Sequence, residues 1–136
     1  MGQTGFTEMV NLLFGDEHGG EVFKRAIRKT IKEVKLVDNA PWFTFEDRYR
    51  MKIFDDGQSC CETRYMRTDD DLNYFTDAKL TGAEIKDASN LPHEWGEHDV
   101  QFLEIQTDGG VFTIVNHNEH NGYYGGFWLR AVAEVE

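Results

Sequence analysis

Two stretches of this sequence hold most of the side chains able to do chemistry. The first is Gly57-Gln58-Ser59-Cys60-Cys61-Glu62-Thr63-Arg64-Tyr65-Met66-Arg67, continuing through Thr68 into Asp69, Asp70, Asp71 and Leu72. The second is Asn116-His117-Asn118-Glu119-His120-Asn121-Gly122-Tyr123-Tyr124-Gly125-Gly126. Each follows a strand pattern, and both read as loops, where a scaffold usually presents functional groups. His117, Glu119 and His120 are metal-ligand types in a short span, and Cys60 and Cys61 could add thiolates. Their spacing matches neither the i, i+4 histidine pair of a zincin nor its reversed form. It also lacks the Pro-Cys-x-x-Cys that follows His-x-Glu in zinc deaminases. No metal or other cofactor is therefore assigned.

Other chemistries are weaker fits. Ser59 with His117 or His120 and Asp70 can be drawn as a triad, but no Gly-x-Ser-x-Gly elbow is present. Glu62, Glu119 and the Asp69–Asp71 run could supply paired carboxylates. The acidic run fits better as a helix start, with Thr68 as cap and the acids favoured by the helix dipole. Adjacent cysteines have Cα atoms only about 3.8 Å apart, too close for an unstrained disulfide. Ligand binding uses more of the available parts. Arg64 offers a bidentate fork, Tyr65 and Tyr124 offer ring faces, and His117, Asn118, Glu119 and His120 offer donors and acceptors. These seven residues form the candidate ligand site, and the reading favours binding over turnover.

The strings DDGQSCCETRYMRTDDDL and VFTIVNHNEHNGYYGGF, in that order, resemble a small uncharacterised domain family common in bacteriophage and prophage sequences. The resemblance spans roughly residues 30–130 and leaves residues 1–29 outside. It carries no established activity. It implies a mobile-element setting in a bacterial cytoplasm, where small acidic proteins occupy a host protein or sequester a nucleotide-like messenger, often against host defence. A small metal-assisted hydrolase at His117, Glu119 and His120, or a phage assembly component, are the alternatives.

The rest of the chain must scaffold these stretches. Its 136 residues are one domain's worth of length, and 40% are apolar. That suffices for a modest core. No apolar run approaches the roughly 18 residues of a membrane span. The N-terminus lacks the basic region of a secretory signal. Charge is uneven. Residues 1–35 hold six basic and five acidic residues, whereas residues 36–136 hold eight basic and 20 acidic, a net of −12. Such a body repels phosphate backbones, so direct nucleic-acid binding is not expected. It can be steered to a basic protein surface.

Phe6, Met9, Val10, Leu13 and Phe14 have helical spacing, and Glu21–Lys29 reads as a second short helix, with Gly19 and Gly20 between the two. From Ile31 onward the period is two. Strands are expected near 31–36, 42–45, 49–54, 78–87, 100–106, 111–116 and 127–135, with a hairpin turn at Asp108-Gly109-Gly110. The fold class expected is α+β: a helical extension over 1–29, then a mostly antiparallel, curved or barrel-like sheet over 30–136. The short helices could also support a homo-oligomer.

Overall fold

The computed structural model describes residues 17–56, 62–87, 97–120 and 127–135. One helix, α1 (Glu17–Ala26), precedes eight strands: β1 (Ile31–Val37), β2 (Ala40–Phe45), β3 (Tyr49–Asp55), β4 (Glu62–Arg67), β5 (Leu80–Asp87), β6 (Glu97–Thr107), β7 (Gly110–His120) and β8 (Leu129–Val135). A single 3-10 turn, Leu72–Phe75, lies between β4 and β5. The strands form two four-stranded sheets, ordered β1-β2-β3-β8 and β4-β7-β6-β5. Every pairing between strands is antiparallel.

Local chemistry explains the hairpins. Asp38 and Asn39 both have positive φ, 52° and 65°, so β1 and β2 join through a two-residue turn whose twist matches the strands. Both residue types tolerate that region. Gly110, at φ 134°, follows the Asp108-Gly109 turn between β6 and β7. Thr107 secures that corner: its Oγ1 donates to the Gly110 carbonyl (2.8 Å) and accepts from the Gly109 amide (3.1 Å).

The core lies between the sheets. Ile31, Val34, Phe43, Phe45, Met51 and Ile53 face inward from the first sheet, and Met66, Leu80, Leu103, Ile105, Phe112 and Ile114 from the second. Phe43 and Phe112 meet across the gap with ring centres 6.2 Å apart, and Phe75 packs on Phe112 at 4.7 Å. Helix α1 adds Val22, Phe23 and Ala26 to the same core. The Tyr49 hydroxyl donates to the Val22 carbonyl (2.9 Å), and burial pushes that phenol's pKa up. Near one corner the sheets are tied by the Thr30–Lys79 bridge. Beside it the Asp77 amide donates a hydrogen bond to the Ile31 carbonyl (2.7 Å), and the Ile31 amide donates to the Ala78 carbonyl (2.8 Å).

Several expectations need correction. The protein is mainly β, with one helix among the described residues, rather than clearly α+β. The sheets are open and do not close into a barrel. The expected helix over Phe6–Phe14 lies outside the described residues. Gly19 and Gly20 do not separate two helices; both are buried inside α1, on the face shared with Val22, Phe23 and Ala26. Two supposed loops are strands: β4 was hidden by its polar composition, and β7 runs on through His120. Thr68 is not a helix cap. Asp71 caps the 3-10 turn by accepting from the Asn73 amide (3.1 Å). Thr68 and Asp70 instead carry the ladder past β4, bonding the Thr113 carbonyl (2.7 Å) and amide (2.7 Å) respectively.

Phe112→Ala should cost about 3–5 kcal/mol, because it removes the ring that contacts both Phe43 and Phe75. Urea unfolding followed by circular dichroism measures this. A loss below about 1 kcal/mol would contradict the assigned core.

Candidate functional site

Strands β4 and β7 are neighbours, so the two chemistry-rich stretches meet. The register sets Arg64 opposite Asn118, Tyr65 opposite His117, and Thr63 opposite Glu119. Side chains alternate along a strand, so these pairs fall on two faces. Tyr65, His117 and Glu119 project to the outside of the second sheet. Arg64 and Asn118 project between the sheets.

The outer group is a stacked cluster. The Tyr65 and His117 rings lie 4.6 Å apart and 11° from parallel, as close cross-strand neighbours allow. The Tyr65 hydroxyl donates to a Glu119 carboxylate oxygen. The Arg67 guanidinium sits 5.1 Å from the Tyr65 ring centre. Desolvation, then the hydrogen bond and charge of Glu119, push the Tyr65 pKa up to about 12. Tyr65 is therefore a committed donor at neutral pH. The same outer face carries Val100 opposite His117 and Phe102 opposite Val115.

The inner group is a polar end to an otherwise apolar interior. Arg64 Nη1 donates to Asp55 Oδ2 at 2.8 Å, with side-chain exposures of 3% and 5%. Asp55 closes β3 and Arg64 lies in β4, so this pair ties one sheet to the other. The other Asp55 oxygen accepts from the Trp128 amide (3.1 Å), and the Trp128 ring lies 5.0 Å from the Arg64 guanidinium. Asn116 and Asn118 are fully buried beside them. Asn116 Nδ2 donates to Gln101 Oε1 (3.2 Å), while its Oδ1 has no hydrogen-bond partner among the described residues.

His120 ends β7, its backbone paired with Glu62 and Glu97. Tyr124 lies outside the described residues, as do Ser59, Cys60 and Cys61. Among the described residues no three His, Cys, Asp or Glu side chains group as a metal site. Asp70 bonds the β7 backbone, which is its visible role. Sequence reasoning missed Asp55, Gln101 and Trp128, and it placed Asn116 in the second chemistry-rich stretch without counting it among the seven site residues. Asp55 and Trp128 were legible only as strand ends. Their partnership with Arg64 depends on how the sheets stack. Among the described residues no helix is long and apolar enough to cross a membrane.

Arg64→Met alone should destabilise the fold by about 3–5 kcal/mol, since it strands a buried carboxylate. Adding Asp55→Leu should recover most of that loss in chemical denaturation, because an apolar pair replaces the ionic one. A double variant no better than the single would refute the pairing. Tyr65 holds its proton to higher pH when folded, so its contribution is whole below pH 10.0 and fades as pH climbs toward about 12. Melting curves of wild type and Tyr65→Phe should thus converge across that alkaline window.

Comparison with known proteins gives one positive finding. A protein-family model described as a domain of unknown function, DUF7448, matches residues 24–129. No curated protein and no solved structure gives a significant match. The match begins inside α1 and ends at the first residue of β8, taking in both chemistry-rich strands. The chain is therefore a member of the DUF7448 domain family.

Proposed function

We propose that this protein binds a partner without catalysing a reaction, in a phage or prophage setting. The partner is a host protein with a basic surface, and its capture blocks part of a host defence pathway. The recognition surface is the outer face of the second sheet around Tyr65, His117 and Glu119. The observation that carries this reading is the state of Tyr65. It is stacked on His117, bonded to Glu119 and held protonated up to about 12. That is the wrong direction for a base or nucleophile at neutral pH. It suits a rigid aromatic anchor with a polar tip, the kind of residue that dominates protein interfaces.

Charge supports the choice of partner. Glu84 and Glu104 stand directly opposite each other on this face, an arrangement that costs stability unless a cation offsets it. Lys86 reaches Glu104 at 3.3 Å but stays more than half exposed. A basic partner would complete the compensation. The acidic body, at net −12 over residues 36–136, would steer such a partner in. A second reading keeps the same surface and replaces the protein with a small nucleotide-like ligand. The stacked Tyr65–His117 pair and the neighbouring Arg67 favour it.

Native mass spectrometry of protein drawn from host cytosol at low salt tests both. The first reading expects an added protein mass that disappears in Glu104→Lys/Glu119→Lys. The second expects an added mass of nucleotide size. Recovery of the chain with neither would overturn the proposal.

A further inference from the structure

Each sheet ends in two edge strands, and three of these four lie against other parts of the fold. The 3-10 turn packs on β1, α1 packs on β8, and β4 rests on β2 and β3. Strand β5 differs. Its first residue is tied down: the Leu80 amide donates to the Lys29 carbonyl (3.1 Å), and the Leu80 carbonyl accepts from the Arg28 amide (2.7 Å). Past a register shift between Leu80 and Gly82, the strand runs on to Asp87.

Backbone parity shows what that stretch offers. The two-residue turn makes Thr107 and Gly110 a hydrogen-bonded pair, so Gln106, Glu104 and Phe102 of β6 turn their backbone groups to β5. Their partners Gly82, Glu84 and Lys86 use their own groups inside the sheet. Ala83, Ile85 and Asp87 therefore aim amides and carbonyls at the open edge, as Leu80 does. Among the described residues no backbone group bonds them there. Such an edge is a template for a further strand.

The side chains select which strand. Ile85 is half-buried at the margin of the core. Glu84 stands opposite Glu104 and has no cation partner among the described residues. Lys86, on the same face, reaches Glu104 at 3.3 Å and is more than half exposed. Its ammonium has three donors, more than one carboxylate contact uses. We propose that β5 pairs with β5 of a second copy of this chain, antiparallel about a two-fold axis at Ile85. In that register the two Ile85 residues exchange both backbone bonds, and Ala83 does so with Asp87, so only the outward-aimed groups are used. Glu84 then falls directly opposite Lys86 on both sides of the axis, in the closely spaced pairs where opposite charges count most. The two isoleucines meet on the inner face and extend the core. The two second sheets become one sheet of eight strands, with both Tyr65 surfaces on the same side. Strand β1 has a similar Glu33-Val34-Lys35 run, but those charges pair with each other (3.6 Å) and the 3-10 turn packs on that strand. The β5 contact is short, well under the roughly 1,200 Å² of a standard interface, so the dimer is weak and concentration-dependent. It does not depend on what the Tyr65 surface binds.

Sedimentation velocity of the full chain between about 1 µM and about 1 mM tests this. Wild type should pass from monomer to dimer across that range. Glu84→Lys and Lys86→Glu each set like charges opposite one another twice, and each should weaken the dimer about ten-fold. An equimolar mixture of the two variants restores opposite charges at both positions and should associate as wild type does. Ile85→Pro removes the edge amide without touching the bonds to β6, and should abolish the dimer. Circular dichroism should show every variant folded. If Lys86→Glu does not fold, the double variant Glu84→Lys/Lys86→Glu replaces the mixture, since it restores both pairs between identical chains. The proposal fails if wild type stays monomeric at about 1 mM, or if the mixture associates no better than either variant alone. It fails equally if the dimer survives both Glu84→Lys and Ile85→Pro, which would place the interface elsewhere.

Discussion

The contact between Phe43 and Phe112 joins two sheets that share no ladder of their own, and the rest of the molecule follows from it. Once these rings are buried against each other, every second residue of β2 and β7 must face inward. Antiparallel pairing carries that parity to β3 and β8 on one side and to β4, β6 and β5 on the other. Outward residues are thereby assigned as well. A register shift of one residue would exchange the two sets along a strand, and the buried phenylalanines resist it.

The interior is not uniform. At one end it is aromatic and aliphatic, closed by α1 and the 3-10 turn. At the other it holds Arg64, Asp55, Asn116, Asn118 and Gln101. Ion pairs and amides between sheets add little net stability compared with apolar packing, but leaving one partner alone is costly. Their main effect is directional. The Arg64–Asp55 bond is correct only when β3 and β4 lie at one relative offset, so it constrains how the edge strand β4 of the second sheet sits against β3, an inner strand of the first. Trp128 covers the guanidinium from the β8 side and belongs to the same arrangement.

The two outer faces differ because their charges differ. The second sheet shows a stacked tyrosine and histidine with glutamates nearby. The first shows tryptophan and phenylalanine beneath lysines and arginines, of which Lys35, Arg50 and Arg130 are paired with Glu33, Glu134 and Asp56. Membership of the DUF7448 family spans strands from both sheets, so neither face is an appendage to the family domain. Summing charge over the chain hides this contrast, since about 60% of the charged residues are acidic and dominate any average.

Much was legible in the order of residues. Alternation at Tyr49, Met51 and Ile53, and at Phe112 and Ile114, marked strands because period two survives whenever one face is buried. Asp108 and Gly109 marked a hairpin because few residues suit that turn. Strand β4 was illegible, since its inward residue Arg64 is charged and only Met66 betrays a buried face. Asn116 and Asn118 disguised the end of β7 in the same way. That the two polar stretches are neighbours was suggested by their shared place after strands. Their division into an inner pair and an outer cluster needed the register. Composition and local pattern depend on neighbours along the chain, and these dictated most strands and their antiparallel order. Which polar groups are buried depends on contacts between residues far apart in sequence, and only the stacked sheets supply those.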